Sequence, residues 1–370
     1  MSEIVLILGA GTSAEAGAPL MKDFLKTADR LRERNEVAGF KEDFDLVSGL
    51  IDDLQNAHSK AQLELENIES VFATLEMGQL TGRLLARSTE QIERLLVAAK
   101  RVITVTLERS LTFPLTQAGP TPSDYHDCFG ELIRVLNREP GKPRCSIITF
   151  NYDLAIDFAL HHNSVKFDYG LQGKLKPQHT PLLKLHGSLN WLYCSECGWI
   201  EPLDLQPFLR ARGTTGGKFI LDVGSAALPA IAEKRRHCGK PVEDVPLIVP
   251  PTWNKVAYSG RFGTVWAHAA RELSTATRIF VSGFSLVETD LFLKYLYTVG
   301  STGGPRLRRF CVYDPDPEVH RRFSELLGPG VAPNYSPQPL NFSNAVPCIA
   351  VELDLGDDIV KRVTPGYPRT

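Results

Sequence analysis

The sequence has no excess of positive charge. Its 41 Lys and Arg residues are balanced by 43 Asp and Glu residues, which gives a formal net charge of -2. Proteins that follow a nucleic-acid backbone use a surplus of Lys and Arg to neutralise its phosphates. The composition therefore contains no direct signal for nucleic-acid binding.

Long apolar runs are also missing. No segment approaches the roughly 20 apolar residues that cross a bilayer, and the apolar stretch after Met1 lacks the cationic lead-in of an export signal. Cysteine is scarce, and its seven residues are an odd, scattered set that argues against a disulfide framework. We therefore predict a cytoplasmic protein with reduced thiols and no membrane contact.

The sequence does contain a series of short apolar runs, each followed by a polar or glycine-rich turn. The runs are IVLIL at 4–8, CSIITF at 145–150, PLLKL at 181–185, RIFVSG at 278–283 and RFCVYD at 309–314. Helix-like segments follow several of them, which is typical of a doubly wound, Rossmann-like α/β fold with a parallel sheet. Ligands bind at the carboxyl ends of the strands in such folds. The Pro- and Asn-rich segment from 333 is predicted to be a surface loop before a last strand, IAVELDL at 349–355.

Two insertions interrupt this alternation. From 44 to 113, apolar residues recur at three- and four-residue steps, which predicts several amphipathic helices. The segment 194–244 has little periodicity and contains two Cys-Gly pairs. We therefore predict a Rossmann-like domain made of three segments, 1–43, 114–193 and 245–370. A helical insertion at 44–113 separates the first two segments. A small cysteine-containing insertion at 194–244, similar to a zinc ribbon, separates the second and third.

The first apolar run ends in a glycine turn, Gly9-Ala10-Gly11, followed by Thr12 and Ser13. Glycines allow close approach to the backbone, and Thr12 and Ser13 are candidate helix N-caps. Bare N–H groups at a helix N-terminus attract an anion, to which the Ser13 hydroxyl can also donate. The turn therefore predicts a pyrophosphate site, although its spacing is not the usual Gly-x-Gly-x-x-Gly and a purely structural turn has the same appearance.

Polar residues follow three further runs. They are Asn151 and Asp153 after CSIITF, His186 after PLLKL, and Gly283 and Ser285 around the end of RIFVSG. Asp153 is equally suited to be a plain N-cap, and a lone histidine is more often structural than catalytic. The segment from Gly283 to Thr289 or Asp290 is a second candidate nucleotide cradle.

Together these segments resemble the sirtuin family, and most closely its branch of bacterial NAD-consuming antiphage defence proteins. GAGTSAEAGAP at 9–19 is similar to the Gly-Ala-Gly-x-Ser-x-x-x-Gly-x-Pro signature, TFNYD at 149–153 to the Gln-Asn-Ile-Asp segment, KLHGS at 184–188 to the catalytic histidine segment, and SGFS at 282–285 to the Gly-x-Ser that contacts the nucleotide. NIESVFATLE at 67–76, VPPTWNK at 249–255 and GFSLVETDLFLKYL at 283–296 are similar to the defence branch.

The resemblance implies NAD+ as the substrate and Asn151, Asp153 and His186 as the catalytic residues. Asn151 would bind the nicotinamide ribose and Asp153 the carboxamide, while His186 would act as a general base near neutral pH. The pyrophosphate would lie on 9–13 and the adenosine ribose near Ser285 and Asp314. The implied cofactor-binding residues are Gly9, Ala10, Gly11, Thr12, Ser13, Gly17, Pro19, Phe24, Asn151, Asp153, Gly283, Ser285 and Asp314.

The sequence departs from the family's pattern at two places. APLMKDF at 18–24 replaces Ile-Pro-Asp-Phe-Arg, and PLIVPPTWNK at 246–255 replaces the Phe-Gly-Glu segment beside which an acyl-lysine peptide binds. Without a peptide acceptor, water is the partner of the cationic ribose, which favours NAD+ hydrolysis to nicotinamide and ADP-ribose. The alternatives are an NAD-dependent protein deacylase and a non-catalytic sensor of NAD or ADP-ribose. The resemblance also implies a homo-oligomer and a separate sensor or ATPase protein as partners.

The cysteine-containing insertion has a pattern close to the paired knuckles of a four-cysteine zinc site. Cys194 and Cys197 form the first knuckle, and Cys238 belongs to the second. Arg235 stands where the partner of Cys238 is expected, so His237 is the candidate fourth ligand. A structural Zn2+ is one prediction, and a lapsed knuckle held by packing is the other.

Overall fold

A parallel sheet of seven strands lies at the centre of the computed structural model, which describes residues 2–57, 64–138, 144–210, 217–249, 262–286, 291–301 and 304–367. The strands within these ranges are β1 (Ile4–Leu8), β2 (Phe113–Thr116), β3 (Gly119–Pro120), β4 (Cys145–Thr149), β5 (Phe167–Asp168), β6 (Thr180–Lys184), β7 (Trp191–Cys194), β8 (Trp199–Pro202), β9 (Lys218–Phe219), β10 (Arg236–His237), β11 (Lys240–Pro241), β12 (Arg278–Ser282), β13 (Arg309–Tyr313) and β14 (Tyr335–Gln338). The α-helices there are α1 (Gly11–Ala14), α2 (Phe24–Glu33), α3 (Lys41–Asn56), α4 (Ile68–Thr81), α5 (Thr89–Ser110), α6 (Asp124–Arg138), α7 (Ala155–His162), α8 (Gln206–Leu209), α9 (Leu228–Ala232), α10 (Gly263–Thr275), α11 (Leu291–Ser301), α12 (Pro317–Leu326), α13 (Phe342–Glu352) and α14 (Asp357–Arg362).

The strand order of the sheet is β14-β13-β12-β1-β4-β6-β5, and every pair is parallel. The chain builds outward from β1 through β4 and β6, and then returns to the other side of β1 with β12, β13 and β14. The order therefore reverses between β1 and β12, which is the switch point where doubly wound sheets bind ligands. This architecture confirms the predicted Rossmann-like α/β fold class.

Helices cover the sheet in two groups. Helix α6 packs against α7 and α13, whereas α10 packs against α11. Because parallel crossovers are right-handed, the reversal at β1 places the two groups on opposite faces. The five residues of β1 are at most 1% exposed, which explains why this strand is a continuous apolar run rather than an alternating one.

The register aligns the carboxyl ends of the central strands. Leu8 of β1 pairs with Thr149 of β4 and with Ser282 of β12, and Thr149 pairs with Lys184 of β6. The turns that follow these four strands therefore begin at one level. We call the residues of these turns, 9–13, 150–153, 185–188 and 283–286, the strand edge.

The predicted amphipathic helices between 44 and 113 are present as α3, α4 and α5, and α5 begins with a capping box made by Ser88 and Gln91. The apolar positions of the pattern are buried: Val47, Leu50, Leu54, Ile68, Val71, Phe72, Leu75, Ile92, Leu95 and Leu96. Helix α2, which lies ahead of residue 44, also packs against α5. The domain boundaries stay a prediction. None of the helices in the described ranges is both long and apolar enough for a membrane span.

The prediction for the last strand was wrong. IAVELDL lies mostly in helix α13, and the predicted surface loop contains β14, whose Pro337 lies on the edge strand beside β13. Asn341 caps α13 by accepting a hydrogen bond from Asn344 N at 3.4 Å. The residues of α13 that are buried recur at helical spacing: Phe342, Ala345, Val346, Ile349 and Ala350. Burial of this face outweighs the loss of one backbone donor at Pro347 inside the helix.

Candidate active site and metal cluster

The glycine turn after β1 packs directly against the turn after β12. A Cβ atom on Gly9 would lie 2.5 Å from the carbonyl oxygen of Gly283, and one on Gly11 would lie 2.7 Å from Gly283 Cα. Gly283 itself has a φ of +62°. The close approach of these two backbones requires glycine at all three positions, so the turn has the structural duty that the sequence left open.

The expectation of bare N–H groups at this turn was wrong for four of its five residues, the first being Gly9, whose N–H donates to Ser282 O at 3.1 Å. Gly11 N donates to Gly283 O at 2.8 Å, Thr12 N to Gly9 O at 3.0 Å and Ser13 N to Ala10 O at 3.1 Å. The N-cap of α1 is Ala10, and Thr12 instead donates its hydroxyl to Gly9 O at 2.8 Å. Within the described ranges, the exposed Ala10 has an N–H without an acceptor. An anion at this turn would therefore meet one free amide, that of Ala10, rather than a row of amides.

Asn151 reaches the glycine turn from the neighbouring strand. Its Nδ2 lies 3.2 Å from Thr12 Oγ1 and 3.3 Å from Ser13 Oγ, and its backbone N–H donates to Thr149 Oγ1 at 3.1 Å. The residue is 8% exposed. Residues separated by 138 positions in the chain therefore meet at the carboxyl ends of β1 and β4, beside the switch point.

Asp153 lies beside the same hydroxyl. The Ser13 side chain hydrogen-bonds its carboxyl group, and Asp153 Oδ1 accepts from Ala155 N at 3.0 Å. Burial raises the pKa of Asp153, while the nearby charge of Lys184 and these hydrogen bonds lower it. The sequence also offered Asp153 as a plain helix N-cap. Its hydrogen bond from Ala155 N resembles such a cap, although the N-cap residue of α7 is Leu154.

His186 lies level with Asn151 on the next strand, because each is two residues beyond the paired Thr149 and Lys184. Its ring packs edge-on to Phe150, with centroids 5.1 Å apart, and it is 4% exposed. The following Gly187 has a φ of +87°, and a Cβ there would lie 2.1 Å from Leu247 O. Glycine at 187 therefore allows the chain to turn sharply after the histidine.

A buried lysine connects these two polar turns, and sequence reasoning did not single it out. Lys184 Nζ donates to Asp153 O at 2.6 Å and to Asp157 Oδ2 at 2.9 Å. Tyr169 donates to Asp157 Oδ1 at 2.5 Å, and Asn190 Nδ2 donates to the Tyr169 hydroxyl at 3.1 Å. Lys184 therefore fixes the backbone that carries Asp153. A charge at the end of an otherwise apolar strand was the available signal.

Two phenylalanines also meet at the strand edge. Phe150 after β4 and Phe284 after β12 stack with ring centroids 4.4 Å apart, although β1 lies between their strands. Both are buried. The stack covers the end of β1 and, with His186, makes this side of the strand edge aromatic.

The other predicted nucleotide contacts are spread along the edge and beyond it. Ser285 is exposed after β12, and Asp314 follows β13 with its Oδ1 accepting from Asp316 N at 2.9 Å. Burial raises the pKa of Asp314. Phe24 belongs to the buried core of the helical cluster, with Ala18. The predicted segments 250–255 and 287–290, which include Thr289 and Asp290, lie outside the described residues.

Gly17 and Pro19 lie in the loop between α1 and α2. Gly17 has a φ of +102°, and a Cβ there would lie 2.5 Å from Ser110 O. Both residues line a cleft of about 760 Å³ beside α2. Gly17 and Pro19 therefore lie next to the helical cluster, and they follow in the chain the glycine turn that Asn151 contacts.

Four side chains of the cysteine-containing insertion form a possible metal site. The ligand atoms of Cys194, Cys197, His237 and Cys238 all lie within 4.8 Å of one another. His237 Nδ1 is 3.3 Å from both Cys197 Sγ and Cys238 Sγ. Three thiols and one imidazole are a donor set that suits a structural Zn2+.

Arg235 is turned away from this cluster. Its guanidinium donates to Glu201 Oε2 at 2.5 Å and lies 5.0 Å from the centre of the Trp199 ring. His237 stacks on the same tryptophan, with centroids 4.5 Å apart and an interplanar angle of 13°. The tryptophan therefore holds the imidazole in place, and His237 fits the fourth position that Arg235 leaves open.

No protein-family model and no curated protein matches this sequence. Among solved structures, a Sir2 homologue in complex with NAD is similar to this chain, with a TM-score of 0.43 and 17% identity over 98% of this chain and 90% of that one. A mutant Sir2 homologue in complex with ADP-ribose has a TM-score of 0.43 and 15% identity, covering 98% and 92%. Sir2Tm bound to a propionylated peptide has a TM-score of 0.36 and 12% identity, covering 95% and 94%. Because these TM-scores are low, the superpositions do not establish a reaction for this chain.

Proposed function

We propose that this protein is an NAD+ hydrolase that cleaves the bond between nicotinamide and ribose and releases nicotinamide and ADP-ribose. The observation that supports the proposal is the position of Asn151, whose amide lies 3.2 Å and 3.3 Å from the hydroxyls of Thr12 and Ser13 at the carboxyl ends of β1 and β4, beside the switch point. His186 lies level with Asn151 on the adjacent strand, so one ribose can reach both side chains.

Each polar side chain has a role that suits its chemistry. Glycosidic cleavage of NAD+ builds positive charge on the ribose, so the site must orient the leaving group and the acceptor. Asn151 orients the ribose, and Asp153 holds the carboxamide through a carboxyl group whose pKa burial has raised. His186 removes a proton from the attacking water or from a ribose hydroxyl.

Incubation of the purified protein with NAD+, followed by chromatography of the nicotinamide released, tests this proposal. We expect Asn151→Ala and His186→Ala each to lower the rate by about 10³-fold or more. Asn56→Ala and His179→Ala, which change the same residue types away from the strand edge, should keep the wild-type rate. Turnover retained in either strand-edge variant, with circular dichroism unchanged, would contradict the assigned roles.

Two other outcomes separate the remaining functions. Nicotinamide release that requires an acyl-lysine peptide, together with loss of the acyl group, would identify a deacylase. Calorimetric binding of NAD+ or ADP-ribose without nicotinamide release would identify a sensor. The motif resemblance supports the hydrolase because PLIVPPTWNK at 246–255 replaces the Phe-Gly-Glu segment beside which an acyl-lysine peptide binds.

We also propose that Cys194, Cys197, His237 and Cys238 hold a structural zinc ion, which would cross-link the two hairpins of the insertion. The convergence of four ligand atoms within 4.8 Å supports this assignment. Metal analysis of protein purified without chelator should give about one zinc per chain. Cys197→Ser should lower that ratio, whereas Cys348→Ser, which changes a thiol far from the cluster in sequence, should not.

The motif resemblance supports a further part of the proposal, a role in antiphage defence as a homo-oligomer that responds to a separate sensor or ATPase protein. Cells that produce the wild-type chain should lose NAD+ after phage infection, and cells that produce Asn151→Ala should not. Light scattering of the purified protein measures the oligomeric state. Equal phage yields in the two strains would contradict the defence role.

A further inference from the structure

A second large cleft lies between the 14–18 loop, helix α2, the end of α5 and strand β9. Its volume is about 1020 Å³, a size typical of sites for small molecules. Gly17 lies in its wall, but Asn151, His186, Ser285 and Asp314 do not. We call this the basic cleft. It is a different site from the one at which Asn151 and His186 are proposed to cleave NAD+.

The side chains around the basic cleft carry a surplus of positive charge. Its cationic residues are Arg30, Arg34, Arg109 and Lys218, and its carboxylates are Glu36 and Asp222. Within the part of the chain that the structure describes, Arg34, Arg109 and Lys218 form no ion pair, and neither do the two carboxylates. The charges of the cleft are thus not neutralised by one another.

We propose that the basic cleft binds a phosphate-bearing small molecule other than the dinucleotide substrate. A guanidinium presents its donors in a fork that matches phosphate oxygens, and an ammonium adds charge. Arg109 and Lys218 line the cleft from α5 and β9 and would bind the phosphate oxygens. Since Ala18 N donates to Ser13 O at 3.2 Å, the loop that lines the cleft is hydrogen-bonded to the strand edge.

Calorimetric titration with inorganic pyrophosphate, in a buffer free of phosphate, tests this site without any need for NAD+ turnover. Wild-type protein should bind pyrophosphate, and the double variant Arg109→Gln/Lys218→Gln should bind it at least about tenfold more weakly. The charge-matched control Arg306→Gln/Lys166→Gln changes two exposed cations outside the cleft and should bind as wild type.

Four results would overturn the proposal. They are no pyrophosphate binding by wild type, unchanged affinity in the Arg109→Gln/Lys218→Gln variant, displacement of pyrophosphate by ADP-ribose, and loss of affinity in Asn151→Ala, which would place pyrophosphate at the strand edge. An excess of ADP-ribose should leave pyrophosphate bound. Displacement by ADP-ribose would show that the cleft holds part of the dinucleotide. Failure of NAD+ hydrolysis would leave all of these measurements intact.

Discussion

The strand edge and the cysteine hairpins hold their polar side chains by different means. Directly beneath the strand edge, Lys184 of β6 and Asp157 of α7 are at most 1% exposed and are hydrogen-bonded to each other and to buried neighbours. In the hairpins, Cys197 and Cys238 are exposed, and the adjoining apolar cluster has only four buried residues in the described chain. The first arrangement is held by the protein itself, whereas we propose that a metal ion holds the two short hairpins of the second together.

The largest effect that this comparison predicts is on the buried ion pair. Lys184→Met removes the ammonium that binds Asp157 and the Asp153 carbonyl, and it leaves a carboxylate buried without its partner. We expect the free energy of unfolding to fall by about 3–5 kcal/mol. Urea denaturation followed by circular dichroism measures this change.

The double variant Lys184→Met/Asp157→Leu is the control for the ion pair. Because it removes both charges, it should recover much of the lost stability. If Lys184→Met lowered the free energy of unfolding by less than about 1 kcal/mol, the strand edge would not depend on this pair. Comparing the two variants separates the stability lost by burying a lone charge from the stability lost through altered packing.

The next effect concerns the link between the helical cluster and the insertion. Glu108 of α5 accepts hydrogen bonds from Gly224 N at 2.6 Å and Ser225 N at 3.1 Å. Burial raises its pKa from 4.5 to about 7, although these hydrogen bonds lower it. Because the folded-state pKa is raised, Glu108 contributes stability that is full below pH 4.5 and is lost as the pH rises through about 7, by up to about 3 kcal/mol.

Comparison with Glu108→Gln over this pH range isolates the contribution of that carboxyl group. Between pH 4.5 and pH 7, the free energy of unfolding should fall in wild type relative to Glu108→Gln. Burial lowers the pKa of His126 to about 3, so that residue acts in the opposite direction below pH 6.5, but it is present in both proteins and cancels. A difference independent of pH would contradict the raised pKa.

A smaller effect is expected at the metal cluster. His237→Ala removes the imidazole 3.3 Å from two thiols and should weaken zinc binding about 100-fold, which corresponds to about 2.8 kcal/mol. Competition with a chromogenic chelator measures the affinity. The stability of the strand edge should be unaffected, because the contacts of His237, with Cys197, Cys238 and Trp199, lie within the insertion. Wild-type zinc affinity in His237→Ala would assign the fourth ligand elsewhere.

The sequence could predict those parts of the molecule whose pattern is local. The apolar runs at 4–8 and 145–150 became neighbouring strands because a sheet covered on both faces requires such runs, and the residues after them met at one edge. The contacts of Lys184 and the stack of Phe150 on Phe284 could not be predicted, since they depend on which strands are neighbours. Helix α13 was missed because tertiary burial outweighed the local signal of Pro347.

The smallest effect tests whether Arg235, which lies beside the candidate fourth ligand His237 on Trp199, contributes to zinc binding. Arg235 is bound to Glu201 and lies over Trp199 on a partly exposed surface, where such contacts contribute little. Arg235→Ala should lower stability by less than about 1 kcal/mol and leave zinc content and affinity unchanged. The measurement is the same chelator competition, with His237→Ala beside it. If Arg235→Ala lost as much zinc as His237→Ala, Trp199 alone would not hold the imidazole in place. Zinc binding by the hairpins would then depend on Arg235 as well as on His237.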